Sequence, residues 1–336
     1  MKGLIGVNRY FPSCAALLAA SAVLFSGGAW ADLYNDGKVL ATGGVSMTDG
    51  AGGGGITPWA TITGYGTRDG INGDVHYTYV SLPNYSLNSI GAAVGFFDRV
   101  ELSYSNDVLP TGSTFNTVGL LTTATGIPTG IDAWNTTIKM DVFGAKVRVF
   151  GEAIYDSDNL IPQVAVGGFY KVNHNKALLE TLQASKAKDW EAYIAATKIF
   201  FPINTLINVT LRYTAANQTG LTGFGGPGGD KKKIRPEVSL AYLLNKGTAI
   251  GAEYQKHGDN LSGQSVNLGG LTVPGSLGGA LGLGNTLTQK ESDWYDAFIA
   301  FFPSKNLSIT MAYAMLGNIT LTPNQNGYYV SLQASF

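Results

Sequence analysis

The sequence predicts an all-β protein: a single antiparallel transmembrane β-barrel of fourteen strands, with twelve as the alternative. Three observations predict it. Charged residues make up only 13% of the chain, about half of what soluble domains carry. Runs of about ten residues alternate between large apolar and small or polar side chains, the pattern of a strand with lipid on one face and a wet lumen on the other. The connections alternate between short and long, the asymmetry of periplasmic turns and outer loops.

The first 31 residues read as an export signal that is removed. Lys2 and Arg9 form a basic start, Cys14 to Phe25 an apolar core, and Ala29-Trp30-Ala31 a small-x-small cleavage site. Cys14 stands at the start of the apolar core, whereas a lipid-anchored cysteine would follow it. Removing this stretch leaves 20 basic and 23 acidic residues and no cysteine. That balance gives no support to nucleic-acid binding, and it excludes thiol catalysis and cysteine-ligated metal. No later apolar run approaches the roughly 20 residues of a membrane helix.

The Gly-rich segment 32–58 reads as a first strand or as a plug, and residues 59–336 as the barrel. The strands fall at 38–48, 59–67, 74–82, 89–97, 100–109, 136–150, 162–174, 189–201, 204–217, 234–245, 248–259, 291–303, 306–320 and 327–336. The last is the clearest: Tyr328, Val330, Leu332, Ala334 and Phe336 oppose Tyr329, Ser331, Gln333 and Ser335. Both termini of such a barrel face the periplasm, so the count must be even. The twelve-strand alternative places residues 41–55 inside as a plug. Segment 136–150 changes phase: Ile138, Met140 and Val142 share one face, Ala145, Val147 and Val149 the other, and a β-bulge at Gly144 is the simplest account. Phe96-Phe97, Phe200-Phe201 and Phe301-Phe302 precede short turns and fit a membrane-interface girdle. Asp189-Trp190 to Phe200-Phe201-Pro202 recurs as Asp293-Trp294 to Phe301-Phe302-Pro303, a hairpin repeated within the barrel.

Charge on the lipid face costs roughly 2–4 kcal/mol near the midplane, so strand charges are expected to point inward. Alternation assigns Glu101, Lys139, Asp141, Lys146, Arg148, Lys171, Arg212, Glu237, Glu253 and Asp296 to the lumen. The lining of a mixed-charge channel and a salt-bridged filling are equally good readings. Lys186, Lys188, Lys231, Lys232, Lys233 and Arg235 fall on or near outer loops, where they are expected to meet lipopolysaccharide phosphates. Loops 108–131 and 261–289 contain no charged residue. A leucine-bearing loop of that kind is expected to pack over the barrel mouth, with 261–289 as a gate.

Little points to catalysis. His76, His174 and His257 lack metal-ligand spacing, no G-x-S-x-G occurs, and Gly223 to Gly229 before Lys231 lacks P-loop spacing. Asp74-x-His76 is the single fragment a lipid-modifying enzyme would use. The expectation is no enzyme, no catalytic residue, no metal and no cofactor.

The terminal Tyr329-Val-Ser-Leu-Gln-Ala-Ser-Phe336 resembles the strand that barrel-assembly machinery recognises, which implies Phe336 as an assembly signal. Ala41-Thr42-Gly43-Gly44, Gly52 to Gly55, Ile56-Thr57-Pro58-Trp59-Ala60 and Gly64-Tyr65-Gly66-Thr67 resemble an uncharacterised family of proteobacterial outer-membrane proteins, a domain of unknown function. The resemblance implies an outer-membrane location and a barrel, and no activity. A looser likeness is to exopolysaccharide-associated barrel proteins. The functional expectation is a passive channel or uptake protein for an unidentified small solute, apolar ones included. The alternative is a non-enzymatic envelope or exopolysaccharide accessory protein.

Overall fold

The computed structural model describes residues 37–112, 136–155, 159–268, 271–272 and 288–336. The expected export signal 1–31 and most of loops 108–131 and 261–289 lie outside the described residues, and so does any gating by the latter. The strands are β1 (Ile71–Ser81), β2 (Ser86–Phe96), β3 (Val100–Pro110), β4 (Thr137–Phe150), β5 (Gln163–Asn173), β6 (Lys188–Phe200), β7 (Thr205–Thr214), β8 (Lys233–Asn245), β9 (Thr248–Gln255), β10 (Trp294–Ser304), β11 (Leu307–Met315) and β12 (Asn326–Ser335). All twelve form one closed barrel. Neighbours in sequence pair antiparallel, and β12 closes onto β1 from Tyr328↔Ser81 to Ser335↔Asp74. Closure leaves no unpaired sheet edge, as a hydrocarbon surround requires.

Side-chain alternation sets the two faces. On β12, Val330 and Leu332 are exposed while Ser331 and Gln333 are buried. Leu102 and Tyr104 on β3, and Val209, Leu211 and Tyr213 on β7, likewise point out. Both chain ends of the barrel lie on one side with the short turns near Asp98, Asn204, Lys246 and Lys305. Most of the longer connections lie on the other side and include α1 (Lys176–Thr181), although the short connection 82–85 also lies there and 151–162 lies with the short turns.

The count of twelve corrects the expectation of fourteen. Segments 38–48 and 59–67 are not wall strands, and the barrel begins at Ile71, not at residue 59. Residues 37–70 instead fold up into the lumen and back, with Lys38 N–H bonded to the Tyr65 carbonyl at 3.0 Å. From Ala41 to Gly66 every residue except Thr48 is buried. Regular structure within this plug is limited to the pairs Val45↔Gly53 and Ser46↔Gly52. Its glycines are set by closeness to the wall: a Cβ on Gly54 would lie 1.8 Å from Glu253 Oε1, and one on Gly55 1.9 Å from the Tyr329 hydroxyl.

Gly144 carries no bulge. The register runs unbroken through Ser103↔Gly144 and Gly144↔Phe169, and the irregularity falls between Arg148 and Phe150. What changes along β4 is the lumen. Lys146 and Arg148 meet polar groups, whereas Ile138, Met140 and Val142 are buried apolar side chains on the same inward face. The apparent shift of phase was therefore a shift of what the inward face meets. This corrects two assignments: Lys139 is exposed, and Asp141 turns to the outer face.

Candidate functional site

The plug is held by side chains of the wall bonding its backbone. Lys146 Nζ donates to the carbonyls of Gly52 (2.8 Å), Trp59 (3.2 Å) and Thr61 (2.7 Å) and pairs with Glu101 at 2.9 Å. Glu101 in turn accepts the N–H groups of Gly52 (3.0 Å) and Thr63 (2.7 Å). Glu253 accepts the Ile56 N–H (2.9 Å) and the Thr57 hydroxyl (2.7 Å). Asp74 accepts the Ser46 hydroxyl at 2.9 Å and bonds Thr63. A segment with almost no secondary structure keeps its buried polar groups satisfied in this way. Lys38 pairs at 2.8 Å with Asp98, on the periplasmic turn after β2.

At the plug's upper tip, Asp49 meets Lys171 at 2.9 Å and Arg212 at 3.0 Å. Arg212 also pairs with Glu191 at 3.1 Å and donates from Nη2 to Glu237 at 3.1 Å. Every charge in this group is buried, so each depends on the others.

Eight of the ten expected lumen residues, Glu101, Lys146, Arg148, Lys171, Arg212, Glu237, Glu253 and Asp296, are buried on the inward face. Asp296 accepts the Tyr329 hydroxyl at 2.9 Å. Arg148 sits at the periplasmic mouth and pairs with Asp98 and, at 2.7 Å, Glu152. Outward-facing Asp141 binds Tyr104 (2.9 Å), Asn106 (2.7 Å) and His174 (2.7 Å) on the outer wall. Sequence reasoning missed Asp49, Asp107, Glu191 and Arg235 as inward residues. Asp107 shares the phase of Glu101, so alternation alone could have found it. Asp49 falls just after the expected strand 38–48, where alternation assigns no face, and only the alternative that made 41–55 a plug would place it inside. Asp74 serves the plug rather than His76, whose ring nitrogens have no hydrogen-bond partner among the described residues.

Of the expected lipopolysaccharide contacts, Arg235 is corrected: it is buried and donates to the Ala216 carbonyl. Lys188, Lys231 and Lys233 are exposed. Lys186 pairs with Asp230 and Lys232 with Asp189. Lys232 also lies over the Trp190 ring at 4.6 Å. In the aromatic girdle, Phe97 and Phe301 are exposed, while Phe96, Phe200 and Phe201 are half-buried at the periplasmic ends of their strands. Phe302 departs from that set, because it turns inward and is buried. Phe336 exchanges backbone bonds with Gly73, at 2.8 and 2.9 Å.

Above the plug lies an apolar cavity of about 60 Å³. Gly55 and Ile56 of the plug form its floor, and Val80, Leu87, Leu109 and Ile138 form part of its wall. Leu182, Leu221, Leu316 and Ile319, from three outer connections, form its roof. Those connections are knitted together: Gln289 donates to the Leu182 carbonyl (2.7 Å), Asn260 to Asn217 (2.7 Å), and Lys186 and Phe224 exchange backbone bonds at 3.0 and 2.9 Å.

A closed antiparallel barrel with an apolar outer face and a filled, charged lumen defines a plugged transmembrane β-barrel of the outer-membrane type. The chain belongs to the family described as "Protein of unknown function (DUF3034)", which matches residues 42–333. None of the curated proteins matches it. Among solved structures it is similar to the KdgM porin, at 10% identity and a TM-score of 0.42, covering 78% of this chain and 99% of that one. It is similar to the NanC porin at 9% identity and a TM-score of 0.43, covering 79% and 98%. It is also similar to outer membrane phospholipase A from Escherichia coli, at 10% identity and a TM-score of 0.34, covering 79% and 88%.

Proposed function

We propose that this protein is a non-enzymatic uptake protein for small apolar molecules, with a plug that closes the lumen below a collecting chamber. The apolar cavity between plug and outer loops carries this reading. An aqueous pore would expose polar side chains at that depth, whereas here Val80, Leu109 and Ile138 face inward. A cavity of about 60 Å³ is smaller than the roughly 150 Å³ apolar cavity that admits benzene. A larger solute therefore enters only as the roof loops yield, and it leaves toward the periplasm only as the plug moves. The partners in this reading are the outer-membrane lipid, lipopolysaccharide at the exposed lysines, barrel-assembly machinery at Phe336, and the solute.

Recording the purified protein in a planar bilayer tests it. The intact chain is expected to be closed, and a chain lacking residues 37–69 is expected to conduct. Equal conductance of the two would sink the plug's role. A second reading, an envelope or exopolysaccharide accessory that transports nothing, is favoured by the filling of the lumen. It predicts that no small apolar probe binds the intact protein.

A further inference from the structure

The outer chamber is mainly apolar, and Gln218 brings the one side-chain amide among its described lining residues. Gln218 lines it and is 1% exposed. Its Oε1 accepts the Trp294 indole N–H at 2.8 Å. An indole nitrogen only donates, so this bond fixes which end of the amide is oxygen. The amide nitrogen, Nε2, is buried and has no hydrogen-bond partner among the described residues. Of the chamber's hydroxyls, those of Thr111, Thr222 and Tyr329 are engaged with the Thr136 carbonyl, Glu291 and Asp296, and that of Tyr85 accepts from Thr322, while Thr48 and Thr320 line the chamber as well.

The backbone brings Gln218 there at a cost. Gln218 (φ 44°) and Thr219 (φ 58°) are consecutive non-glycine residues in the left-handed region. Such strain persists only where the surroundings over-determine it, often at active sites and ligand clamps. Here Lys171 Nζ holds the Thr219 carbonyl at 2.7 Å, and the Asn173 amide holds those of Gly220 (3.1 Å) and Leu221 (2.9 Å).

We propose that Gln218 Nε2 is the recognition group of the chamber, and that its ligand is a neutral, mainly apolar molecule bearing one hydrogen-bond acceptor, of the ketone, aldehyde or ester class. A buried N–H donor left unpaired is costly, and a carbonyl oxygen removes that cost. An anion would be desolvated without a counter-charge, since no lysine or arginine lines the chamber among the described residues. This inference rests on the chamber reading above and adds the polarity of the ligand to it.

The test compares cyclopentanone with methylenecyclopentane, which replaces the oxygen by a CH₂ of similar size. Each is titrated calorimetrically into the full chain in nanodiscs, with empty nanodiscs subtracted. The ketone is expected to bind about two- to tenfold more tightly, the ratio that one net hydrogen bond gives. Gln218→Met, whose retained barrel is checked by heat-modifiable mobility, is expected to bind both alike. Equal affinities of the two probes for the natural chain would overturn the Gln218 assignment and leave the chamber intact. Binding of neither would overturn the chamber reading and this inference together. The comparison on the natural chain decides the matter even if the variant fails to assemble.

Discussion

The ammonium of Lys171, on the barrel wall, lies 2.9 Å from the carboxylate of Asp49 at the tip of the plug. The same nitrogen donates to the Thr219 carbonyl at 2.7 Å, beside the residue that lines the outer chamber. One buried side chain thus joins the plug, the wall and the loop over the chamber.

Replacing Lys171 with Met is expected to loosen plug tip and loop together. Losing one partner of a buried pair costs about 3–5 kcal/mol, and Arg212 retains Asp49 at 3.0 Å, which places the cost near the lower figure. Amide exchange should quicken around residues 47–51 and 217–222 together, and opening events should appear in bilayer recordings. The Asp49→Asn and Lys171→Met changes should be non-additive by at least 0.5 kcal/mol or so in a double-mutant cycle. Additive effects would show that the contact carries no coupling.

A Cβ at Gly54 would sit on the Glu253 carboxylate. Glu253 cannot swing aside freely, because Ile56, Thr57 and Ser239 all bond it. Gly54→Val is expected to destabilise the seated plug by about 1–3 kcal/mol, the usual cost of overpacking, without disturbing the strands. Raised conductance with unchanged heat-modifiable mobility would show it, and a closed, stable variant would refute the tight seating of this segment.

Glu291 lies outside the strands and is pushed up to about 8, first by burial and then by the charge of Asp259, with Thr222 and Arg235 pulling the other way. The folded value exceeds the ordinary 4.5, so the closed loop holds a proton that an opened loop releases. The resulting stabilisation is complete below about 4.5 and is lost as pH rises through about 8. Amide protection of residues 259–266 and 288–293, corrected for intrinsic rates, should therefore fall between pH 6 and pH 9. Glu291→Gln should flatten that dependence; a dependence that survives the change would point to another group.

Lys231 and Lys233 are exposed, and Lys232 is tied to Asp189. Replacing all three with Ser is expected to weaken lipopolysaccharide co-purification, most steeply at low salt, where exposed charges act furthest. Unchanged lipid content would assign these lysines to ordinary solvation.

The sequence by itself determined the wall. Alternation such as Tyr328-Val330-Leu332 against Ser331-Gln333 is a local signal, because a strand between lipid and lumen must differ on its two faces whatever its neighbours are. The twelve wall strands accordingly fall where the pattern places them, within a few residues at their ends. Only the tertiary structure decided what fills the barrel. Residues 59–67 read as a strand in the sequence, yet their backbone is satisfied by Lys146 and Glu101 on wall strands distant in sequence. The outward turn of Lys139 and Asp141 was hidden for a similar reason. The rule that charges face the lumen assumes a uniformly wet interior, and the apolar chamber beside Ile138 reverses it locally. Which half of a lumen is wet depends on the plug and loops that occupy it, and no single strand encodes that.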